Sequence, residues 1–440
     1  MLIWYNIKDM RGGILVKVGI CTLGCKVNLY ESEFVISELK KAGYEICDFD
    51  DLCDIYIINT CTVTNNSDSK SKKMIRNAVN RGNNPCVVVM GCFVEANQEY
   101  KEDGVSIYLG NKDKSKIVEL LDKYFKEQEE IRNLSKISPK KFEDMFITTF
   151  EGRTRAFIKI QDGCNNFCSY CIIPFVRGRC RSKDFDKVIE EVKELTNNGY
   201  YEVVLTGIHT GNYGSDINRS FSELLTELTK IEKLKRLRIS SIEVTELNDD
   251  VLEVIKNSNV IVDHLHIPLQ AGTDKILECM NRKYDLEYFY EKIAKIRSIR
   301  PEISISTDII VGFPGETEED FLETMENARK LEFSKIHVFP YSIRKNTKAS
   351  LMKGHLDNSI KHDRARRLIA LSKELEINYM NKFIGKTVEV LTENIKDDST
   401  LGHTGNYLYV KINKKLDSDK FIKVKIKEVE YPYVIGEFDE

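Results

Sequence analysis

The chain alternates between strand-like and helix-like segments in two successive series, and this alternation limits its fold more than any other feature. The first series begins at Val16 and ends near Phe125, and the second extends from Glu151 to about Met380. Strands that alternate with helices form βαβ units around a parallel sheet. The second series holds six candidate strands, which is too few for a closed eight-stranded barrel. The pattern therefore predicts an α/β fold with a parallel N-terminal domain (16–125) and a central partial (β/α)6 barrel (151–380).

Three further segments complete the predicted domain organisation. Residues 381–440 contain short β-rich stretches separated by turn residues such as Gly402 and Gly405, which predicts a small all-β barrel. Residues 126–150 are charged and lack periodicity, so we interpret them as a linker. Residues 1–15 are predicted to be a dispensable N-terminal extension, and their Arg-Gly-Gly run raises the hypothesis of a translated ribosome-binding site.

The composition limits the expected cellular location of the protein and the expected role of its cysteines. Of 440 residues, 66 are basic and 69 acidic, and a net charge of −3 excludes a uniformly cationic nucleic-acid binder but permits local basic patches. No apolar run approaches the roughly 18 residues of a membrane span, and the first residues lack the features of an export signal. We therefore expect a cytoplasmic protein with no membrane contact. Its 12 cysteines are then better candidates for metal ligands or catalytic groups than for disulfides, because cytosolic thiols stay reduced.

The most specific motif is a compact group of three cysteines directly after the first strand of the second series. Cys164, Cys168 and Cys171 have the spacing Cys-x3-Cys-x2-Cys. Three thiolates this close together can bind three irons of a 4Fe–4S cluster and leave the fourth iron open. The alternatives are a zinc site, although zinc sites usually close with four ligands, and a disulfide.

This motif, with Tyr170 before its third cysteine and with a partial barrel, resembles the radical S-adenosylmethionine (SAM) enzymes. The resemblance implies that the open iron binds SAM and that an electron from the cluster cleaves SAM to methionine and a 5′-deoxyadenosyl radical. Ligand sites of such sheets lie at the carboxyl ends of the strands, so polar and glycine residues there are expected to bind the cofactor. Besides Tyr170, these candidates are Thr206, Gly207, Ser240, Ser241, Glu243, His266, Gln270, Asp308, Gly312 and Gly315.

A second set of three cysteines is spread over the first series. Cys25, Cys61 and Cys92 each follow one of its strands. Because the carboxyl ends of parallel strands share one edge of a sheet, these thiols can meet there and bind a second 4Fe–4S cluster. Their spacing leaves an alternative equally open, namely three scattered cysteines that pack as small apolar groups.

A three-cysteine N-terminal domain, a radical SAM barrel and a C-terminal β-barrel together resemble the methylthiotransferases, and this resemblance favours the second cluster. It implies that the C-terminal barrel is a TRAM domain and that the partners are the anticodon loop of tRNA, a low-potential electron donor and a sulfur donor. One SAM molecule then donates a methyl group and a second provides the radical. The segments TLGCKVN at Cys25 and NTCTVTN at Cys61 have the forms of the branch that adds a methylthio group to carbon 2 of N6-threonylcarbamoyladenosine at position 37 of tRNA.

Other readings of the same residues stay open. Branches that act on isopentenyladenosine tRNA or on a ribosomal protein typically read GCQMN or GCPKN at the first cysteine, and an iron–sulfur module that binds RNA without catalysis is an alternative of another class. In the favoured branch, Arg177 and Arg179 are candidates to bind the threonyl carboxylate of the substrate, because arginine binds a carboxylate through two parallel hydrogen bonds. Contact with phosphate or with SAM is an equally open role for both arginines.

The remaining cysteines and basic residues are less specific. Cys21 lies four residues before Cys25, and Cys180 lies nine residues after the compact motif; both are predicted not to be ligands. Basic residues cluster in the ranges 70–76, 177–183 and 364–367, where they can neutralise RNA phosphates or form solvated helix faces. The C-terminal barrel has 10 basic and 11 acidic residues, so its charge does not mark it as an RNA platform, and its tyrosines can stack on bases or pack the barrel.

Overall fold

The structure is a computed structural model that describes residues 15–82, 84–134, 141–150 and 152–438. The predicted extension lies outside the described residues except for Leu15. Contacts divide the chain into two compact units. The first unit comprises Met1–Thr149, Lys159–Lys187 and Ser342–Ser350, and the second comprises Phe150–Ile158, Val188–Tyr341 and Leu351–Glu440. None of the helices in the described residues combines the length and the apolar character needed to span a bilayer.

The first unit is built on a six-stranded sheet in which all neighbouring strands are parallel. Its elements are β1 (Lys17–Thr22), α1 (Lys26–Lys41), β2 (Glu45–Cys47), β3 (Ile55–Thr60), α2 (Asn65–Val79), β4 (Cys86–Gly91), α3 (Cys92–Ala96), β5 (Ile107–Leu109), α4 (Ile117–Glu127) and β6 (Ile131–Asn133). The strand order is β2-β1-β3-β4-β5-β6. Every residue of β3 and β4 is buried, as expected for parallel strands covered on both faces. The predicted parallel N-terminal domain is confirmed, but β6 extends it into the segment interpreted as a linker.

The segment that carries the compact cysteine motif belongs mostly to the first unit, although the sequence assigned it to the second series. Its elements are β7 (Arg155–Lys159), β8 (Gln161–Asp162), α5 (Ile173–Val176), β9 (Arg181–Ser182) and α6 (Phe185–Asn197). Strands β8 and β9 form an antiparallel hairpin around the motif. Residues 159–187 group with the N-terminal sheet, and Lys159 and Arg177 of this range bind the Glu31 carboxylate on α1.

The second unit contains the predicted series of parallel strands and helices. Its elements are β10 (Glu202–Thr206), α7 (Phe221–Leu228), β11 (Arg236–Ile239), α8 (Asp249–Asn257), β12 (His264–His266), α9 (Asp274–Cys279), α10 (Leu286–Ile299), β13 (Ser304–Val311), α11 (Glu318–Lys330), β14 (Lys335–Pro340) and α12 (Asn358–Asn381). The strands form two groups, β11-β10-β7 and β12-β13-β14, and the parallel bridges Leu237–Ile261 and Ser241–His266 connect them. Across both units, short 3-10 helices occupy Lys114–Lys116, Thr210–Asn212, Val244–Glu246 and Lys348–Leu351. The prediction of six strands in chain order is confirmed.

The C-terminal residues form a closed five-stranded barrel, which confirms the predicted all-β domain. Its strands are β15 (Thr387–Lys396), β16 (Ser399–Thr404), β17 (Tyr409–Ile412), β18 (Phe421–Glu430) and β19 (Tyr433–Phe438), in the order β15-β16-β17-β19-β18. Its core is made of branched apolar side chains with no exposed surface, among them Val390, Val410, Val424, Ile426 and Val434. Such side chains pack well on a pleated surface.

Candidate metal centres and cofactor site

The compact cysteine motif lies on one loop between β8 and α5. The loop begins with a sharp reversal at Gly163, whose φ is +74°, and a Cβ atom at this position would lie 2.0 Å from the carbonyl oxygen of Arg179. Only glycine fits such a position. The backbone N–H of Asn166 donates a hydrogen bond to the Cys164 Sγ at 3.4 Å. The three thiols and the neighbouring Tyr170 are half-buried, so solvent-sized groups can reach them.

This donor set fits an iron–sulfur cluster. Thiolate is the ligand that such clusters use, and an N–H group aimed at a ligand sulfur is one of the features that tune them. Within the described ranges, no three His, Cys, Asp or Glu side chains converge as ligands of a single metal ion. A 4Fe–4S cluster binds each thiolate to a different iron, so its ligands do not need to converge on one point.

The second set of cysteines comes together at the carboxyl edge of the first sheet. Cys25 immediately precedes α1, Cys61 directly follows β3, and Cys92 begins α3 directly after β4. Strands β1, β3 and β4 are neighbours, which places these three positions side by side. Gly24 has a φ of +103°, and a Cβ atom there would lie 3.0 Å from the Cys61 Sγ. A side chain at position 24 would therefore crowd this thiol.

The charges of these three thiols influence one another. Burial raises the pKa of Cys61 to about 11, and the charges of Cys92 and Cys25 contribute to that rise. Burial also raises the pKa of Cys25, Arg177 opposes the rise, and Cys92 adds to it. Cys61 and Cys92 are buried, whereas Cys25 is exposed to solvent. The structure thus places the three predicted ligands near one another at this edge of the sheet, and their role as ligands stays a prediction.

Two other cysteines have different surroundings. Cys21 lies on β1, where burial and Asp50 raise its pKa and Arg81 opposes that rise. Cys180 is buried and accepts a hydrogen bond from Gln161 Nε2 at 2.8 Å. None of the partners named here for Cys21 or Cys180 is a predicted ligand cysteine. We therefore keep both residues outside the two predicted ligand sets.

A group of buried charges, here called the ion cluster, lies next to both cysteine sites. The Glu31 carboxylate contacts Lys114, Lys159 at 2.7 Å and Arg177 at 2.8 Å. Burial alone would raise the pKa of Glu31, but these three cations lower it well below its ordinary value, so the group is ionised. The remaining ion pairs join Asp162 to Lys159 (2.8 Å), Arg177 (3.1 Å) and Arg181 (3.2 Å).

The structure places Arg177 in the protein interior. Its side chain has no exposed surface, and its terminal nitrogens donate to Glu31, Asp162 and, at 2.7 Å, the Asn28 Oδ1. These contacts are internal to the protein, and the predicted contact of Arg177 with a substrate carboxylate stays a prediction. Arg179 is exposed and lies over the Phe167 ring at 4.5 Å, so its predicted role in substrate binding stays a prediction.

Sequence reasoning missed Glu31, although the sequence carries a signal for it. Glu31 lies four residues after Val27 and four before Val35, and all three are buried. Residues spaced by four share one face of a helix, so this carboxylate falls on the apolar stripe of α1. A buried carboxylate requires cationic partners. The sequence offers no comparable signal for Lys114, which lies in a 3-10 turn.

Three predicted cofactor residues form a connected polar row: His266 at the end of β12, Gln270 after it and Asp308 within β13. His266 lies 2.9 Å from Ser306 Oγ through its Nδ1 and 3.2 Å from Asp308 Oδ1 through its Nε2. The Gln270 N–H donates to the Asp308 carbonyl at 2.8 Å. Gln270 has a φ of +67°, a backbone conformation that residues other than glycine rarely adopt. A strained residue beside a polar row is a frequent feature of ligand sites.

The other predicted cofactor residues lie at several separate strand ends and turns. Thr206 and Ser240 are buried at the ends of their strands, and Gly207 and Ser241 follow them half-buried. Glu243 forms an ion pair with Arg282, so its carboxylate already has a cationic partner. The two glycines of the β13–α11 turn, Gly312 and Gly315, have φ values of +74° and +83°. The roles of all these residues in cofactor binding stay predictions.

The Gly312 turn is fixed by a buried ion pair. The Gly312 N–H donates to Glu316 Oε2 at 2.5 Å, and Arg364 contacts the same oxygen at 2.5 Å. The basic range 364–367 is therefore partly committed to internal ion pairs, which include Arg366 with Asp363 and Arg367 with Glu318.

Aromatic side chains of the C-terminal barrel stack on one another. The rings of His403 and Tyr409 are parallel with centroids 4.5 Å apart, and Tyr433 lies 4.8 Å from Tyr409. Tyr431 is 40% exposed, and the other tyrosines of this group are half-buried. This arrangement accounts for most of these rings by packing within the barrel.

Two family models match the chain. Residues 158–328 match the Radical SAM superfamily, and residues 17–109 match the Uncharacterized protein family UPF0004. Among solved structures, the radical S-adenosylmethionine methyltransferase TsrM from Kitasatospora setae, with cobalamin and a [4Fe–4S] cluster bound, has a TM-score of 0.54 and 14% identity over 77% of each chain. That likeness shows the fold alone. The fold and the Cys-x3-Cys-x2-Cys loop define a radical SAM protein, a class whose members bind a 4Fe–4S cluster and SAM.

Curated relatives narrow the class to a family. "Threonylcarbamoyladenosine tRNA methylthiotransferase MtaB" of Bacillus subtilis (strain 168) is 42% identical over 435 residues, which are 96% of each chain. "tRNA-2-methylthio-N(6)-dimethylallyladenosine synthase" of Thermoanaerobacter pseudethanolicus is 36% identical over 86% of this chain and 82% of its own. The chain therefore belongs to the radical SAM methylthiotransferase family.

Proposed function

We propose that this chain transfers a methylthio group to carbon 2 of N6-threonylcarbamoyladenosine at position 37 of tRNA, with SAM as both methyl donor and radical source. The observation that carries the proposal is the 42% identity to the Bacillus subtilis methylthiotransferase over 96% of both chains. The segments TLGCKVN and NTCTVTN around Cys25 and Cys61 favour the same substrate. The reaction also needs a low-potential electron donor and a sulfur donor, and we propose that it takes place in the cytoplasm, where tRNA is found.

The target bond explains why the chain needs radical chemistry. The C–H bond at carbon 2 of an adenine ring is not acidic, so a side-chain general base cannot activate it. A 4Fe–4S cluster held by Cys164, Cys168 and Cys171 would supply the one-electron reduction of SAM that gives access to such bonds. The protein's own contribution is to bind the cofactor, orient it and exclude water.

The two cysteine sites differ in their access to solvent, and this difference supports different roles. All three thiols of the compact motif are half-buried, which leaves room for SAM at an open iron. In the other site, Cys61 and Cys92 are buried and only Cys25 is exposed. We propose that the sulfur donor and the substrate base approach the second cluster from the Cys25 side.

We propose that polar groups on β12 and β13 bind SAM. His266 contacts Ser306 through its Nδ1 and Asp308 through its Nε2, so these polar atoms are fixed before the ligand arrives. The Gly312 N–H is fixed by Glu316, and a Cβ atom at this position would lie 2.4 Å from the Lys361 Cγ, so only glycine fits this turn. A fixed set of polar groups loses less entropy when the cofactor binds.

Exposed groups beside the compact motif support binding of an unpaired nucleotide. Phe175 is 57% exposed and meets the Phe167 ring edge-on at 6.1 Å, while Arg179 lies over Phe167. Exposed aromatic rings beside arginine are typical of sites where single-stranded bases stack. We propose that Phe175 stacks on a base of the anticodon loop and that Arg179 contacts the threonyl carboxylate or a phosphate.

The experiment that tests the proposal compares two substrates under anaerobic conditions. The reconstituted enzyme should modify tRNA that carries threonylcarbamoyladenosine in preference to tRNA that carries isopentenyladenosine. The relative from Thermoanaerobacter pseudethanolicus is the observation that supports the second substrate. A preference for isopentenyladenosine would overturn the proposed substrate and leave the reaction class standing.

A matched set of cysteine variants separates catalysis from a purely structural cluster. Alanine at Cys164, Cys168 and Cys171 should halve the iron content from about eight to about four atoms and abolish SAM cleavage. Cys279→Ala is the control, because this cysteine is exposed and belongs to neither set. Wild-type protein that yields no 5′-deoxyadenosine would instead support an iron–sulfur module that binds RNA without catalysis.

A further inference from the structure

The ion cluster contains more positive than negative charge. Two carboxylates face four cations, and none of the six side chains is more than 5% exposed: Glu31, Asp162, Lys114, Lys159, Arg177 and Arg181. Burial disfavours the charge of Lys159, yet Asp162 and Glu31 raise its pKa above its ordinary value, so it stays protonated. A buried surplus of positive charge is costly unless an anion balances it.

One end of the ion cluster reaches Cys25 through a single amide. Arg177 donates to the Asn28 Oδ1 at 2.7 Å, and the Cys25 Sγ lies 3.8 Å from the same oxygen. Asn28 is itself held by its own donors, which reach the carbonyls of Leu23 at 2.7 Å and Thr60 at 3.0 Å. The position of Arg177 relative to this thiol is therefore rigid.

The other end of the ion cluster reaches Cys92 in the same way. Lys114 donates to the Asn111 Oδ1 at 3.3 Å, and the Asn111 Nδ2 donates to the Cys92 Sγ at 3.5 Å. Asn111 also donates to the carbonyl of Val176 at 3.0 Å, which fixes its amide. Two cations thus approach two of the three predicted ligands, each through one asparagine.

Arg177 retains a donor with no partner. Its Nε is buried and has no hydrogen-bond acceptor among the residues that the structure describes. Burial works against the charge of Arg177, but Cys92, Glu31 and Asp162 together raise its pKa well above the ordinary value. An unsatisfied buried N–H next to a site for an anion is a donor available to that anion.

We propose that the ion cluster is the built-in counter-charge of the second iron–sulfur cluster, and that Arg177 is the residue that positions this charge. The inference rests on the proposed second cluster at Cys25, Cys61 and Cys92. A cluster bound by three thiolates is anionic, and its reduction potential depends on nearby charge and on hydrogen bonds to its sulfurs. Arg177 makes reduction of this cluster more favourable and retains its iron.

The test uses the full chain with alanine at Cys164, Cys168 and Cys171, so that only the second cluster remains. In this background, Arg177→Gln and Arg177→Lys are compared with the unchanged chain by potentiometric titration followed by EPR. Arg177→Gln should shift the midpoint potential to more negative values and speed the loss of iron to a chelator about tenfold or more. Arg177→Lys keeps a charge but lacks the Nε, and it should show a smaller shift in the same direction.

Arg181→Lys is the matched control. Arg181 is a buried arginine of the same segment that pairs with Asp162 at 3.2 Å and donates to the carbonyls of Arg177 and Arg179. The Arg181→Lys substitution should leave the midpoint potential of the second cluster unchanged. An Arg177→Gln chain that folds, binds iron and has the potential and iron release of the unchanged chain overturns this inference alone. Unchanged values in Arg177→Lys overturn the part of the inference that gives the Nε a role. A background chain that binds no iron overturns the second cluster, and the inference with it.

Discussion

Replacement of Glu31 by glutamine tests whether the ion cluster stabilises the first unit. Glutamine keeps the shape and the hydrogen-bonding capacity of the side chain but removes the charge that Lys114, Lys159 and Arg177 share. Neither Glu31 nor any of these cations is more than 1% exposed in its side chain, so water cannot replace the carboxylate. Loss of one partner from a buried ion pair costs about 3–5 kcal/mol. We expect a destabilisation in this range for the apo protein.

Hydrogen exchange measured by mass spectrometry reports this loss for the first unit alone. The amides of β3 (Ile55–Thr60) are wholly buried in the centre of the sheet, so they exchange only when the unit opens. A loss of about 3–5 kcal/mol corresponds to exchange faster by about 100-fold to several thousand-fold. Glu38→Gln on the same helix is the control, because Glu38 pairs at 2.7 Å with a largely exposed Lys41. A surface pair of this kind contributes about 0–1 kcal/mol.

The outcome that refutes this reasoning is an increase of less than about tenfold for Glu31→Gln, or an increase no larger than that of Glu38→Gln. Such a result would mean that the three cations find other compensation when the carboxylate is neutral. The surplus of buried positive charge would then not be a constraint on the site.

The remaining predictions concern acid stability, tRNA binding and ligand choice. The three cations lower the pKa of Glu31 in the folded protein. The stability that the ionised carboxylate provides is therefore present above its ordinary pKa of about 4.3, and it is lost as the pH falls from about 5 towards the pKa of the folded state. Thermal melts of apo Glu31→Gln should lack this part of the pH dependence. Phe175→Ala should raise the KM for tRNA at least fivefold with unchanged iron content, since a stacked base contributes about 1–3 kcal/mol, whereas Leu322→Ala, at a residue that is 49% exposed, should not. Cys25→Ala should abolish methylthio transfer and keep SAM cleavage, and equal loss in Cys21→Ala would show that the wrong cysteine was chosen.

The fold was predictable from sequence where buried strands are continuous apolar runs. Strands Ile107–Leu109 and Glu202–Thr206 and helix Phe185–Asn197 are elements whose type the sequence indicates. Buried parallel strands are continuous apolar runs, and the helix has a clear apolar face. The strand Ser399–Thr404 was not predicted, because its sequence STLGHT contains a glycine and does not alternate in polarity. The strand Glu45–Cys47 is too short for any periodicity to appear.

The cysteine sites and the ion cluster differ in how far the sequence reveals them. Cysteines are recognisable one by one, because their spacing is local or because each follows an apolar strand. The partners of Glu31 are instead separated from it by 83 residues at Lys114, 128 at Lys159 and 146 at Arg177. Periodicity describes only neighbours within a few turns of a helix, so it can mark Glu31 as buried but cannot identify the cations that neutralise it.

The arginines after the compact motif show how backbone conformation decides function within a few residues. Arg177, Arg179 and Arg181 occupy alternate positions and form one basic patch in the sequence. In the structure Arg177 and Arg181 are buried in the ion cluster, while Arg179 is exposed. Gly178 separates the first two with a φ of +77°, a left-handed conformation that reverses the chain and turns consecutive side chains to different sides. Local charge density is the same for all three arginines, so it could not show that Arg179 is exposed while Arg177 and Arg181 lie in the protein interior.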